Sequence, residues 1–109
     1  MLDSITFPSD LRKLSKNQLT ALCSEIRAFF IENILKNGGH FSANLGVVEL
    51  TVALHYVYDF SSDKLVWDVG HQAYIHKLLT GRKGEFDSIR KHNGLSGFPK
   101  IDESVFDHF

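Results

Sequence analysis

The chain has 109 residues, 43% of them hydrophobic and 23% charged, which suits one globular domain or part of one. A net charge of −1 gives no overall field that would attract nucleic acid or an acidic membrane. The single cysteine, Cys23, suits a reducing compartment, and no apolar run or leader pattern indicates a membrane span or a signal peptide, so we expect a cytoplasmic protein.

The first part of the chain predicts a turn or short helical start followed by a long helix. Pro8-Ser9-Asp10 favours the turn, with Leu11 and Leu14 as apolar anchors. Ser15-Lys16-Asn17-Gln18 has the spacing of a capping box. The helix is expected over residues 16–36 and should end at Asn37-Gly38-Gly39, because glycine accepts the conformation of a helix C-cap. Its apolar stripe consists of Leu19, Leu22, Cys23, Ile26, Phe30 and Ile34.

A second helix is predicted from about Asn44 to Tyr58, with Ser42 or Asn44 as its cap. Its residues are apolar on almost every side, which is typical of a helix buried inside a larger unit. The length of the segment favours a helix over a strand, although several residues are β-branched.

Residues 64–69 are predicted as the one clear strand, apolar on both faces as in a covered parallel sheet. A helix over residues 71–80, closed by Gly81, and a short helix over Glu85–Lys91 should follow. A lone parallel strand has no partner within the chain. The predicted fold class is therefore α/β, with residues 1–109 forming a mostly helical, incomplete N-terminal part of a larger domain.

A local group of basic residues interrupts the otherwise balanced charge pattern. Arg82, Lys83, Arg90 and Lys91 are separated by acidic residues, which favours a solvated surface.

The histidines do not form a metal motif. His71 and His76 would point about 140° apart on a helix, and no cysteine pair completes a ligand set. No metal ligand is therefore predicted within this chain. Cys23 falls in an apolar stripe and is expected in the core, and the sequence contains neither a serine-hydrolase elbow nor a phosphate-binding glycine loop.

Two histidines stand out by their position. His71 directly follows the predicted strand, where open α/β sheets bind ligands, and its alternative role is a helix cap. His40 lies in a glycine-rich loop that permits close approach of a ligand, or it is an exposed loop histidine. The histidines at 55, 76, 92 and 108 are interpreted as structural or surface residues.

Three ordered motifs carry a family resemblance. GGHFSANLGVVELTVALHYVYDF, LVWDVGHQAYIHKLLTGR and GLSGFPK closely resemble the N-terminal region of the 1-deoxy-D-xylulose-5-phosphate synthases, which are thiamine-diphosphate-dependent relatives of transketolase. The resemblance covers nearly the whole chain from about Asp10. It implies a transketolase-like, thiamine-diphosphate-binding domain.

The resemblance also implies roles for both histidines. His71, in the Gly-His-Gln motif, matches the residue that contacts thiamine diphosphate near its diphosphate. His40, in the Gly-Gly-His motif, matches the catalytic histidine beside the thiazolium ring, which is suited to proton transfer.

The implied reaction condenses pyruvate with glyceraldehyde 3-phosphate to give 1-deoxy-D-xylulose 5-phosphate and CO₂, for isoprenoid, thiamine and pyridoxal synthesis. The implied cofactors are thiamine diphosphate and Mg²⁺, and the implied assembly is a homodimer. The family's magnesium motif and its activating glutamate do not occur within the 109 residues, so this chain alone is expected to be inactive. Ile75 replaces a usual proline, and Asn44 is bulkier than the usual residue near the cofactor.

Two alternatives stay open. The chain could begin a split transketolase-like subunit, although VWDVGHQAY and GLSGFPK argue against this, and turnover of pyruvate rather than ketose phosphates would separate the two. It could instead be a non-catalytic fragment that acts as an interaction module, which a stop codon after Phe109 would favour over a Gly-His-Ser-Ser continuation.

Overall fold

The computed structural model describes residues 2–37, 42–67, 72–89 and 93–108. These ranges contain five α-helices: α1 (Pro8–Leu11), α2 (Lys16–Asn37), α3 (Ser42–Leu45), α4 (Val48–Val57) and α5 (Tyr74–Lys77). A wide π-type turn, Leu78–Arg82, continues α5, and 3₁₀ turns lie at Leu2–Ser4 and Lys83–Ser88.

The predicted long helix is confirmed as α2, and so is its capping box. The Ser15 backbone N–H donates to Gln18 Oε1 over 2.8 Å, and the Gln18 N–H donates to Ser15 Oγ over 3.3 Å. These two bonds satisfy N–H groups that no earlier turn of the helix can reach. The helix ends at Asn37, while Gly38 and Gly39 lie outside the described residues.

The core forms where the apolar stripe of α2 meets α5 and the turn after it. The ring centroid of Phe30 on α2 lies 6.1 Å from that of Tyr74 and 6.2 Å from that of Phe86. Cys23 is buried in the same stripe, as predicted, and burial raises the pKa of its thiol. The largest fully buried aliphatic side chains of the same core are those of Ile5, Leu11, Leu22, Ile26, Ile75, Leu78 and Leu79.

The predicted second helix is broken into α3 and α4 at Gly46-Val47. Glycine in a helix interior costs about 1 kcal/mol relative to alanine, and Val47 takes a non-helical conformation (φ −116°, ψ 16°). Because α4 is apolar on almost every side, the described chain cannot cover all of it: Leu50 is 54% exposed and Val57 is 69% exposed.

The predicted strand at residues 64–69 is not present in the part that the structure describes. Residues 64–67 are irregular, and residues 68 and 69 lie outside the described ranges. The Leu65 N–H donates to Nδ1 of His108 over 3.2 Å, and Val66 is 61% exposed. A parallel strand pairs its backbone with other strands, and none occurs among residues 2–37, 42–67, 72–89 and 93–108. Of the predicted α/β fold, the described residues therefore contain the helices but no strand.

The helix predicted over residues 71–80 is α-helical only over Tyr74–Lys77 in its described part. A π-type turn follows, and the chain turns away at Gly81, the predicted stop, whose φ is +89°. That left-handed conformation is readily available only to glycine. The short helix predicted at residues 85–91 is found as a 3₁₀ turn at Lys83–Ser88.

The first residues of the chain are fastened to the turn after Arg82. The Lys83 ammonium donates to the Leu2 carbonyl over 2.7 Å and to the Ile5 carbonyl over 3.0 Å. The predicted turn at Pro8 is the short helix α1, and its last residue, Leu11, is fully buried.

Candidate functional site

The two histidines that the sequence singled out, His40 and His71, both lie outside the residues that the structure describes. Their assigned roles therefore remain predictions. What the structure does describe is the chain that follows each of them: α3 begins at Ser42, and the segment leading into α5 begins at Gln72.

A buried hydrogen bond joins these two following segments. Oδ1 of Asn44 on α3 accepts the backbone N–H of Tyr74, the first residue of α5, over 2.9 Å. Asn44 is completely buried. It caps α5 across the fold instead of capping the second helix as expected. An amide oxygen is needed here because the first N–H groups of a helix have no partner within it.

Ionisable side chains on α5 and around it form a set that we name the α5 polar cluster; all are buried except Glu103, which is partly exposed: His55, His76, Lys77, Arg82, Glu103 and Asp107. Two cations and two carboxylates balance each other in it, so the cluster carries no net charge when both histidines are neutral. Buried charges are tolerated only when they are paired in this way.

Asp107 accepts from more donors than any other residue of the cluster. Its carboxylate binds both Nη atoms of Arg82 over 2.8 Å, accepts the backbone N–H of Lys100 over 2.9 Å, and lies 2.9 Å from Nε2 of His76. Burial opposes the charge, but the bonds from Arg82, His76 and Lys100 outweigh it and hold the pKa of Asp107 well below its usual range.

The hydrogen bonds assign the protons of both imidazoles. A carboxylate only accepts, so Nε2 of His76 carries the proton that Asp107 accepts. In a neutral ring Nδ1 of His76 is then an acceptor, and it lies 2.9 Å from Nε2 of His55, which must donate. Nδ1 of His55 is left unprotonated, buried and without a hydrogen-bond partner.

Burial favours the neutral form of both histidines. It lowers the pKa of His55 to about 3, helped by repulsion from His76, Arg12 and Arg82. Burial also lowers the pKa of His76, although the bond to Asp107 opposes the shift. Both rings are therefore neutral at physiological pH, as the proton assignment requires.

The same cluster reaches the third family motif. Nζ of Lys77 donates to the Ser96 carbonyl over 2.6 Å and to Oε1 of Glu103 over 2.8 Å, while Oε2 of Glu103 accepts the Ser96 N–H over 2.8 Å. Burial lowers the pKa of Lys77. Polar contacts thus connect all three motifs that carried the resemblance, through Asn44, α5 and Ser96.

The solvated basic surface predicted around Arg82 is wrong for its described residues. Arg82 is buried, and its guanidinium pairs with Asp107 and with Glu103. Lys83 is half-buried against the carbonyls of Leu2 and Ile5. Arg90 and Lys91 lie outside the described residues.

Sequence reasoning left His55 and His76 as structural or surface residues; both are buried, but their connection to Asp107 was missed. The three side chains are separated by 21 and 31 positions, and no fixed spacing relates them. The one available signal was the pair His76-Lys77 inside an otherwise apolar segment.

Within the described ranges, no three histidine, cysteine or acidic side chains are grouped so that they could bind a metal ion. None of the helices in those ranges has both the length and the apolar character needed to cross a membrane.

Comparison with known proteins gives the same family along the whole chain. A family described as 1-deoxy-D-xylulose-5-phosphate synthase matches residues 2–109. The chain is 59% identical over 109 residues to the 1-deoxy-D-xylulose-5-phosphate synthases of Neisseria meningitidis and Lachnoclostridium phytofermentans. It is 56% identical to 1-deoxy-D-xylulose-5-phosphate synthase 1 of Geobacter sulfurreducens.

These alignments cover 100% of this chain and 17% of each relative. The matched residues include the three motifs and the whole α5 polar cluster. On the strength of a match that extends from residue 2 to residue 109, the chain belongs to the 1-deoxy-D-xylulose-5-phosphate synthase family and corresponds to its N-terminal part.

Proposed function

We propose that this chain supplies the N-terminal wall of a thiamine-diphosphate site in a transketolase-like domain. The intact enzyme would condense pyruvate with glyceraldehyde 3-phosphate to 1-deoxy-D-xylulose 5-phosphate and CO₂ in the cytoplasm, and would act as a homodimer. The observation that carries the proposal is the buried bond from Tyr74 to Asn44, because it ties the segment after His40 to the segment after His71.

The described residues fit such a site. The buried amide of Asn44 binds the start of α5, so the segments that follow His40 and His71 in the sequence are held next to each other. Lys77 and Arg82 are already neutralised by Glu103 and Asp107, so they are not the partners of a diphosphate. By the family resemblance we assign the anion-binding role to His71.

The roles of the two histidines differ. An imidazole at position 71 would donate a hydrogen bond to an anionic oxygen of the diphosphate. An imidazole at position 40 would hold or move a proton at the reacting centre, since its ordinary pKa near 6.5 permits exchange at working pH. When bound, thiamine diphosphate supplies the carbon nucleophile and the electron sink for decarboxylation. Mg²⁺ would be held by residues beyond this chain.

A hybrid enzyme tests the proposal. The chain replaces the 109 matching residues of the Neisseria meningitidis synthase, to which it is 59% identical. We expect the hybrid to form 1-deoxy-D-xylulose 5-phosphate from pyruvate and glyceraldehyde 3-phosphate. Turnover of ketose phosphates without pyruvate would favour the transketolase-like alternative, and a folded hybrid without either activity would contradict the proposal.

The role of His40 is tested in the same hybrid. His40→Ala should lower turnover by roughly 10²–10⁴-fold, the usual loss when an acid–base group is removed. Glu49→Gln is the control, because Glu49 is exposed on α4 and its ion-pair partner among the described residues is Arg27 on α2. Unchanged turnover in His40→Ala would refute the role assigned to His40.

A further inference from the structure

Helix α4 has a second apolar stripe on the side that faces away from the core. Its inner side is buried through Val48, Val52 and His55. The outer stripe consists of four apolar residues at spacings of three and four positions: Leu50, Ala53, Leu54 and Val57. Leu54 is half-buried, and the other three are exposed. A surface helix usually carries polar residues on its outer side, so this stripe indicates a surface that another segment covers.

Two grooves adjoin the stripe, one at Ala53 and the other at Leu54. The first has a volume of about 260 Å³ and lies between α2 and α4, where Leu19 and Cys23 contribute to its walls. The second has a volume of about 330 Å³ and lies between α4 and the residues that follow it, with Leu65 in its wall. We name the stripe and the two grooves the outer α4 face. A ridge next to two hollows suits the interdigitation of side chains from a packed segment.

The charges at the two ends of the stripe have partners of opposite sign. Glu49 precedes the stripe and pairs with Arg27 on α2. Asp59 follows α4, and its carboxylate lies 4.0 Å from the guanidinium of Arg12. Residues 50–57 contain no acidic residue, lysine or arginine. A neutral apolar face favours an uncharged apolar partner, because a charged segment would be dehydrated there without gaining a counter-ion.

Two partners are compatible with this chemistry: another segment of the same polypeptide, or a second copy of the chain. Stable contacts between separate proteins use about 20–30 residues on each side, many more than the outer α4 face provides. A segment of the same polypeptide needs less contact area, because no second molecule has to be immobilised. The alignments cover 17% of each relative, so the intact enzymes have ample polypeptide to supply such a segment.

We propose that the outer α4 face binds an uncharged, apolar segment of the same polypeptide, from the part of the intact synthase beyond residue 109. Side chains of that segment would fill the two grooves, and its backbone would pass over Leu50 and Val57. Ala53, between them, is the smallest residue of the stripe and permits the closest approach. The inference rests on the family to which the chain belongs and not on the proposed reaction.

Thiol labelling of the hybrid enzyme tests whether the face is covered. Ala53→Cys places a thiol in the stripe, and Ala21→Cys is the matched comparison, because Ala21 is an exposed alanine on α2. Each variant reacts with an uncharged maleimide in its native form and after unfolding in urea, and mass spectrometry identifies the modified peptide. We expect the native Ala53→Cys thiol to react at least about tenfold more slowly than the unfolded one, because the reagent then has to wait for local opening.

Two results overturn the inference. The first is a native Ala53→Cys thiol whose rate lies closer than this to the unfolded rate, since the face is then open in the intact enzyme. The second is protection that disappears on about hundredfold dilution, because mass action then identifies a second copy as the partner. If the hybrid does not fold, the aligned position of the Neisseria meningitidis synthase takes the same substitution.

A charge placed in the stripe gives a second measurement. Ala53→Glu should lower the melting temperature of the hybrid by about 5 °C or more, because a covered carboxylate has no partner there. Ala21→Glu should stay within about 1 °C of the unsubstituted hybrid, as substitutions at exposed positions usually do. Equal melting temperatures for the two hybrid variants contradict the inference.

These measurements separate the inference from the proposed function. An active hybrid in which the Ala53→Cys thiol reacts freely contradicts this inference alone. A folded hybrid whose thiol is protected but which forms no product contradicts the proposed function alone.

Discussion

His55 and His76 are buried imidazoles whose pKa values are lowered by burial. Both are buried and neutral, beside two cations that are already balanced by two carboxylates. A proton added to either ring would be an uncompensated charge in the interior, which is costly. The acid stability of the chain should therefore be limited by these two rings.

The free energy of unfolding should decrease as the pH falls below 6.5. The pKa of His55 is about 3 in the folded chain and about 6.5 when unfolded, so between these values the unfolded chain binds a proton that the folded chain does not. The loss is about 1.4 kcal/mol per pH unit for each such histidine. Urea unfolding at several values between pH 5 and pH 7 measures it.

His55→Gln supplies the comparison, because glutamine keeps a donor for His76 but does not titrate. Its stability should depend less steeply on pH than that of the unsubstituted chain. Equal slopes in the two proteins would show that His55 is not the group responsible.

The cap of α2 should contribute measurably to stability. Ser15→Ala removes the hydroxyl that accepts the Gln18 N–H, and such losses cost about 0.5–2 kcal/mol. Ser24→Ala is the matched control, since Ser24 is exposed in the interior of the same helix, where alanine is the better helix former. Urea midpoints that fall equally in both variants would argue against a capping role.

At this scale the sequence predicted what depends on neighbours along the chain. Ser15 and Gln18 lie three positions apart, so their reciprocal bonds follow from helix geometry alone. The bonds of His76 depend on residues 21 and 31 positions away, and only the packing of α4 and the last segment brings them together. The partners of Arg82, Glu103 and Asp107, are likewise 21 and 25 positions away, so no local pattern predicts them.

Among the elements, the prediction of a helix at α2 is confirmed, and the prediction of a strand is wrong for residues 64–67, the described part of that segment. The stripe on α2 repeats over many turns, and all its backbone bonds lie within the helix. A strand depends on partners elsewhere, which a short apolar run does not specify. The second helix was predicted as one element because its apolar residues continue across Gly46, yet glycine interrupts it there.

Gly81 closes the turn after α5, and replacing it should be costly. Its φ of +89° disfavours any side chain, and an added Cβ would lie 2.5 Å from Cε1 of Phe7. Gly81→Ala should therefore lower the free energy of unfolding by at least about 1 kcal/mol. Denaturant unfolding of Gly81→Ala beside Gly84→Ala checks this.

Gly84 is the suitable control because a Cβ there would meet nothing within 4 Å, and its φ is not in the left-handed range. Gly84→Ala should be neutral or slightly stabilising, since alanine reduces the freedom of the unfolded chain. Equal losses in both variants would contradict the conformational argument.

At the scale of the molecule, the described residues form a compact core that includes α5, while several large apolar side chains remain in solvent. The radius of gyration is 12.8 Å, near the value of about 13 Å for a compact chain of this length. Even so, Leu50, Val57, Ile101 and Val105 are more than half exposed. Exposed apolar groups of this size favour self-association, and the prediction that residues 1–109 form only part of a domain is compatible with them.

The chain alone should gain little from the cofactor. By the family resemblance the magnesium ligands lie beyond residue 109, and a ligand stabilises only what it binds. We expect the melting temperature of the 109-residue chain to stay within about 1 °C when thiamine diphosphate and Mg²⁺ are added. The Neisseria meningitidis synthase under the same conditions is the positive control, and a rise of several degrees in the isolated chain would contradict the expectation.

Two long-range contacts near α5 affect folding during synthesis on the ribosome. Lys83 binds the carbonyls of Leu2 and Ile5, and Arg82 pairs with Asp107. Both contacts join residues far apart in the chain, so α2 can form early while the surroundings of α5 cannot. Lys77 and Arg82 stay hydrated until Glu103 and Asp107, which are synthesised later, have left the exit tunnel. We therefore expect these ion pairs, and the burial of α5, to form only after residue 107 has emerged.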